Sequence, residues 1–326
     1  MMAHETACLL EESTRGSLHT PTPARRSICE RLCGRPPHDV DTSQSDWIAA
    51  SALSLAKNGL VALRSARSAP SPIPAPIVER CRCEARPLLD RYLDLADKSG
   101  AVADGAAIKF CELYSRAPRE NRFDLAVLHR PVVASVCEDH GAVPYATLLA
   151  AVDRLVRPVL CASGLFGESP AEVEAVGCVL SLPGAPCQAW HPDSEHQVGL
   201  VNAFVPLVNL TEANGPTSLE LGSHLRGQRS CWPPTVSPLL AAGEVLLFDW
   251  RVWHRGSANL SDEERPVAYI TYAAAGVEGA SYKASLPSLI AWESVWGGAG
   301  TSSQEARASG SCDSDDGSWD MFEDSF

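Results

Sequence analysis

Nowhere in the 326-residue sequence does an apolar run approach the length of about 20 residues that a bilayer-spanning helix needs. The amino terminus also lacks a basic start followed by an apolar block. Glu5, Glu11 and Glu12 stand there instead, which argues against a secretory signal. Arg25, Arg26, Arg31 and Arg35 leave a transit peptide open, although the early acids count against it. Cys-x-x-Cys is missing despite 12 cysteines. The closest pairs, Cys29 with Cys33 and Cys81 with Cys83, have no matching second pair, so a zinc knuckle is disfavoured. Reduced and mostly buried thiols in a cytoplasmic protein are the expectation. A basic stripe is missing as well. The formal charge is −13: seven acids and one base follow Gly297, residues 1–45 hold six acids and five bases, and the middle carries the remaining −6. Phosphate backbones attract the opposite sign, which excludes nucleic acid as the expected partner.

The length fits one large or two ordinary domains with a sizeable core. Residues 1–45 mix Ser, Thr, Pro and Arg without period and read as a disordered lead-in. Residues 46–296 read as one domain. Asp46 is placed to cap a helix that Asn58-Gly59 stops, Leu60–Leu63 reads as a strand, and a longer helix over about Ile77–Lys98 contains Pro87. Ile108–Cys111 and Phe123–Val127 are candidate strands, and a helix with one apolar face follows Pro144. From Glu172 the period changes to that of short strands separated by Pro and Gly turns: Glu174–Leu182, Val198–Leu210, Thr217–Leu221, Glu244–Asp249 and Arg265–Ala275. That alternation predicts a mostly β domain of jelly-roll or barrel type with flanking helices, closed by a short helix near Leu286–Trp296. Residues 297–326 are rich in Gly, Ser and Asp and read as a disordered acidic tail. Its ending, Trp319-Asp-Met-Phe322, is a candidate for weak partner docking, although such tails are more often simply solvated.

The chemistry concentrates in Gln188-Ala-Trp-His191-Pro-Asp193. Side chains two apart on a strand share a face, so His191 and Asp193 can offer an imidazole and a carboxylate to one point. A histidine from another strand would complete the two-histidine, one-carboxylate face that leaves positions open on non-haem Fe(II). A lone His-x-Asp is common in turns. Here a second stretch follows, Phe248-Asp-Trp-Arg-Val-Trp-His254-Arg-Gly-Ser-Ala-Asn259-Leu-Ser261, and then Arg265-Pro266. Strand parity turns Trp190 and Trp253 away from the metal, toward packing between sheet and helices. His196, five after His191, faces away on the same reasoning.

Taken together, Gln188-x-x-His191-x-Asp193, Gly215-Pro-Thr217 leading to Gly222-Ser-His224, and His254-Arg-Gly-x-x-Asn259-x-Ser261 with Arg265-Pro266 resemble the phytanoyl-CoA dioxygenase family of Fe(II)/2-oxoglutarate oxygenases. The resemblance covers roughly Asp46 to Trp296. It implies a double-stranded β-helix, a jelly-roll or cupin-like barrel. It also implies that His191, Asp193 and His254 hold Fe(II), and that Arg265 grips the far carboxylate of 2-oxoglutarate. Gln188, Thr217 and Ser257 are weaker candidates for cosubstrate contacts, and His224 falls in a family turn that is not a metal position. The implied reaction is hydroxylation of a small organic or lipid-like molecule by O2, with release of succinate and CO2. Two alternatives stand beside it: a non-catalytic jelly-roll protein acting through partners, and a cupin-like metalloenzyme that does not use 2-oxoglutarate.

Overall fold

A computed structural model describes residues 38–66, 69–100, 107–115, 121–129, 142–167, 170–194, 199–227, 234–275, 277 and 286–296. Within them the chain runs β1 (Asp39–Asp41), α1 (Trp47–Asn58), β2 (Leu60–Arg64), α2 (Ala75–Ser99), β3 (Ile108–Lys109), β4 (Leu113–Ser115), β5 (Arg122–His129) and α3 (Ala142–Ser163). It continues through β6 (Ala171–Ser181), β7 (Leu200–Pro206), β8 (Thr217–Glu220), α4 (Ser223–Arg226), β9 (Thr235–Val236), β10 (Val245–Asp249), β11 (His254–Gly256), β12 (Arg265–Ala274) and α5 (Leu289–Trp296).

Among the described residues these strands form two sheets. The larger has the order β1-β2-β10-β7-β12-β6-β5-β4-β3, and the smaller has the order β11-β8-β9. From β7 onward the chain passes repeatedly between them. It leaves the large sheet for β8 and β9, returns as β10, crosses to β11, and returns as β12. That alternation is the double-stranded β-helix expected from the sequence. Its cause is legible in the side chains, because β10 and β12 are buried along almost their whole length while the connecting turns are polar. β12 is paired on both sides, with β6 from Arg265↔Ser181 to Ala274↔Ala171 and with β7 from Val267↔Pro206 to Ala273↔Leu200.

The helices cover the sheet from outside. α1 packs on α3 and β2, α2 packs on α3 and α5, and α3 also rests on β6. Leu55, Leu89, Leu148, Val152 and Val156 are fully buried there, together with Tyr92 and Tyr145. Truncating any such leucine to alanine would cost about 2–5 kcal/mol. α1 begins and ends where the sequence placed it. Gly59 adopts φ 77° and gives its N–H to the Leu55 carbonyl at 3.0 Å. A Cβ on Gly59 would come within 2.5 Å of both His224 Nδ1 and Val252 Cγ2, so the helix stop is also a point of close approach to the turns of the small sheet. Pro87 is accommodated inside α2, and Pro158 inside α3.

One boundary differs from the sequence reading. Residues 39–41 fell in the expected lead-in, yet they pair in parallel with Ala62–Arg64, and Asp39 Oδ1 lies 2.9 Å from Arg64 Nε. Three residues carry no readable period, which is why this edge strand could not be seen in advance. Residues 1–37 and the tail 297–326 lie outside the described residues. Among those described, no helix is long and apolar enough to cross a membrane.

Candidate metal and cosubstrate site

The segment 188–194 is too irregular to count as a strand, but it runs antiparallel to the stretch 250–256. Gln188 N donates to Gly256 O at 2.9 Å, His191 and His254 exchange backbone bonds at 3.0 and 2.8 Å, and Asp193 N donates to Trp250 O at 2.9 Å. The far side of this ladder is anchored to the large sheet. Trp250 N donates to Leu200 O, and Asp249 N donates to Gly59 O. Backbone pairing therefore brings the two histidines together, with ring centroids 4.6 Å apart.

Each ring is held in one tautomer. Nδ1 of His191 lies 2.8 Å from the Ala189 carbonyl, and Nδ1 of His254 lies 2.8 Å from the Val252 carbonyl. A carbonyl oxygen can only accept, so both Nδ1 atoms carry the proton and Nε2 is the nitrogen that each ring can offer to a metal. Burial pushes the His254 pKa down to about 4, against the opposing pull of the Val252 carbonyl, which keeps the ring neutral as ligation requires. Asp193 Oδ1 is 3.5 Å from His254 Nε2, and the ligand atoms of His191, Asp193 and His254 all lie within 4.8 Å of one another. Two neutral imidazoles and one carboxylate, without a thiolate, suit Fe(II) and leave positions open on it. The donor set fits the metal. Asp193 Oδ2 accepts a bond from Asn202 Nδ2 at 2.7 Å, and Asn202 Oδ1 in turn accepts one from Thr271 Oγ1 at 2.8 Å.

Arg265 opens β12 and is only 3% exposed. It reaches that position through a turn built by Asn259, whose Nδ2 donates to Ser181 O and Glu263 O while its Oδ1 accepts from Ser261. Arg265 Nη2 donates to Ser181 Oγ at 2.6 Å, and its Nε is buried without a hydrogen-bond partner. Burial, and then the neighbouring charge of Arg122, disfavour the charged form of Arg265. A buried cation beside another cation is an anion site by its chemistry, and a planar guanidinium fits a carboxylate.

Arg122 escaped the sequence reading. It lies on β5 opposite Ser181, and donates to Gly256 O at 3.2 Å, Pro186 O at 2.9 Å and Ser257 O at 2.9 Å. The guanidinium thus ties the start of the 188–194 segment to β11. An arginine opening a strand carries no motif, so only the three-dimensional contacts could reveal it.

The weaker candidates fall around the same strand. Gln188 Oε1 accepts from Gly256 N at 2.8 Å, Thr217 pairs with Gly256 in the β8–β11 register, and Ser257 Oγ lies 3.2 Å from Ser218 Oγ. Gly256 is required by this crowding, since a Cβ there would fall on Arg122 Nη1 and lie 2.7 Å from Gln188 Oε1. Trp190 does not pack between sheet and helices. It lies under the Arg255 guanidinium, 4.9 Å from ring centre to Cζ, because the bridge at His191 and His254 sets residues 190 and 255 side by side. His224 takes no part in the metal cluster and is buried against the Ala56 carbonyl at 3.1 Å. His196 lies outside the described residues.

Comparison with known proteins agrees with this geometry. The family model for phytanoyl-CoA dioxygenase (PhyH) matches residues 56–267. Dioxygenase trt7 of Aspergillus terreus is 33% identical over 99 residues, which cover 26% of this chain and 34% of that protein. Dioxygenase af480 of Aspergillus fumigatus is 28% identical over 137 residues, covering 37% of this chain and 44% of that one. The matches thus span between a third and a half of the length of these curated relatives. The crystal structure of AviO1 from Streptomyces viridochromogenes superposes with a TM-score of 0.50 at 20% identity, over 72% of this chain and 97% of that one, which is a likeness of fold. With the matched region holding all three metal-binding candidates and Arg265, the chain belongs to the phytanoyl-CoA dioxygenase family, whose members are oxygenases dependent on Fe(II) and 2-oxoglutarate.

Proposed function

We propose that the protein is an Fe(II)- and 2-oxoglutarate-dependent oxygenase that hydroxylates a small organic or lipid-like substrate. The observation that carries this reading is the convergence of two Nε2 lone pairs and a carboxylate within 4.8 Å, with both rings fixed by backbone carbonyls. His191 and His254 would hold the metal through Nε2, and Asp193 through Oδ1. When bound, the iron supplies the oxidising chemistry with O2, coupled to conversion of 2-oxoglutarate to succinate and CO2. Arg265 would bind the far carboxylate of 2-oxoglutarate, where the negative charge offsets the cost of two adjacent buried guanidinium groups. Gln188, Thr217 and Ser257 border the same strand and are assigned to the wall of the cosubstrate pocket. Asp193 fills the position that a halide would need, which favours hydroxylation over halogenation. A cytoplasmic location fits the free cysteines among the described residues, Cys81, Cys83, Cys111, Cys161, Cys178 and Cys187.

The test is turnover of 2-oxoglutarate by purified protein with Fe(II) and O2, offered a panel of small apolar and lipid-like compounds and read as succinate formed. Succinate should form with the parent and fall to background in His191→Ala, Asp193→Ala and His254→Ala, with iron retained in none of the three. If the parent binds iron but neither binds nor consumes 2-oxoglutarate, the protein is a metalloprotein of another kind.

A further inference from the structure

Asn202 is a polar residue in the middle of the large sheet, 6% exposed, between Phe248 of β10 and Thr271 of β12. A buried amide is costly unless both of its ends are bonded. The Oδ1 end is satisfied inside the sheet, by the Thr271 hydroxyl. The Nδ2 end reaches out of the sheet to Oδ2 of Asp193, in the irregular segment that carries the metal cluster. The amide therefore joins two places, a hydroxyl within the sheet and a carboxylate of the metal cluster. The direction of the amide is also set, because the hydroxyl lies against Oδ1 and the carboxylate can only accept from Nδ2.

Asp193 needs such a constraint. Its backbone is fixed by Trp250 O, but a carboxylate rotates easily about its last torsion and could present one oxygen or both. We propose that Asn202, oriented by Thr271, is a positioning residue that occupies Oδ2 of Asp193 and so presents a single carboxylate oxygen, Oδ1, to the metal. One-oxygen ligation keeps a third coordination position open beside the two histidines and the aspartate. A cosubstrate that chelates through two atoms, plus O2, needs all three open positions. The inference rests on the metal-site reading above and adds to it the residues that set its open face. The same two strands, β7 and β12, that build the core therefore also determine how the aspartate ligates.

The test uses Co(II) in place of iron, without oxygen or cosubstrate, because the ligand-field spectrum of Co(II) reports coordination number and needs no turnover. The parent should bind Co(II), and His191→Ala should lose it. Asn202→Ala should bind about 10- to 100-fold more weakly, the usual effect of removing a group that orients a metal ligand, and its spectrum should change shape. Thr271→Val should move both readouts the same way, whereas Thr271→Ser keeps the hydroxyl and should restore them. If Asn202→Ala fails to fold, the Thr271 pair decides alone. A parent-like spectrum and affinity in Asn202→Ala, or in Thr271→Val, would overturn the proposal while leaving the metal site intact. Equal impairment of Thr271→Ser and Thr271→Val would also overturn it, since packing rather than the hydroxyl would then matter. A parent that binds no Co(II), or a His191→Ala that binds as well as the parent, would remove the metal site itself.

Discussion

Replacing Arg265 with methionine should abolish tight 2-oxoglutarate binding while leaving metal binding and the fold in place. The guanidinium is 3% exposed, so a carboxylate paired with it is largely removed from water. Hydrogen bonds to charged groups contribute about 1.5–3 kcal/mol each, and a bidentate pair makes two of them. Truncating one partner of a buried charge pair costs about 2–5 kcal/mol. Arg122 next to Arg265 retains some attraction for the anion, which places the loss near 3–4 kcal/mol. At ~1.4 kcal/mol per decade, affinity should fall on the order of 10²–10³-fold. Arg265→Lys should recover only part, since an ammonium cannot make two parallel bonds. The same substitution predicts the opposite sign without cosubstrate. Removing one of two adjacent buried cations relieves repulsion, so the cosubstrate-free variant should be at least as heat-stable as the parent, despite leaving Ser181 Oγ without its donor. Calorimetric titration of 2-oxoglutarate into Mn(II)-loaded protein without oxygen measures the first effect, and thermal unfolding with and without 2-oxoglutarate measures the second. Binding within about twofold of the parent in Arg265→Met would refute the assignment, and a 2-oxoglutarate-dependent rise in melting temperature that survives the substitution would refute it independently.

Gly256→Ala should impair 2-oxoglutarate turnover, because the added methyl meets the ends of Arg122 and Gln188 and these must give up their bonds to Gly256 and Ser257 to make room; steady-state succinate release checks it, and near-parental activity would show that the two side chains can move without cost. Deleting residues 1–37 and deleting residues 1–45 should differ, since only the second removes β1 and the Asp39 partner of Arg64. That ion pair is mostly buried, and the backbone bonds Ala62 N to His38 O and Thr42 N to Arg64 O are lost with it, so the longer deletion should cost about 1–3 kcal/mol more. For a domain of this size the cost corresponds to a further drop in melting temperature of several degrees, and equal melting temperatures would show that the strand is dispensable.

Much of the site was legible because its residues cluster in sequence. Gln188, His191 and Asp193 fall within six residues, and His254 and Arg265 bracket a turn whose Asn and Ser are readable as turn chemistry. The long strands β6, β7, β10 and β12 were legible for a related reason: buried strands leave continuous apolar runs, and Gly59, Gly243 and Asn214-Gly215 punctuate them. Other features left no such trace. Arg122 and Asn202 matter only through the strands they meet, and strand order is a property of topology, not of local pattern. β11 was expected only as the strand that must carry His254, because three residues cannot show a period of two from which to read its bounds. The Trp190–Arg255 contact likewise follows from a bridge that no spacing rule announces.

The ladder joining 188–194 to 250–256 bears on how this site tolerates sequence change. The ladder that carries His191 and His254 is held by main-chain bonds, between the two histidines and from Trp250 to Leu200 of β7, and any sequence with the same backbone can form those bonds. The identities of the neighbours at 189, 190, 253 and 255, none of them fully buried, are therefore loosely coupled to ligand spacing. Most of these side chains face away from the ligands, so mutations there can accumulate one at a time without first moving the two histidines. The spacing of the two histidines is thus more resistant to sequence drift than the surface that surrounds them.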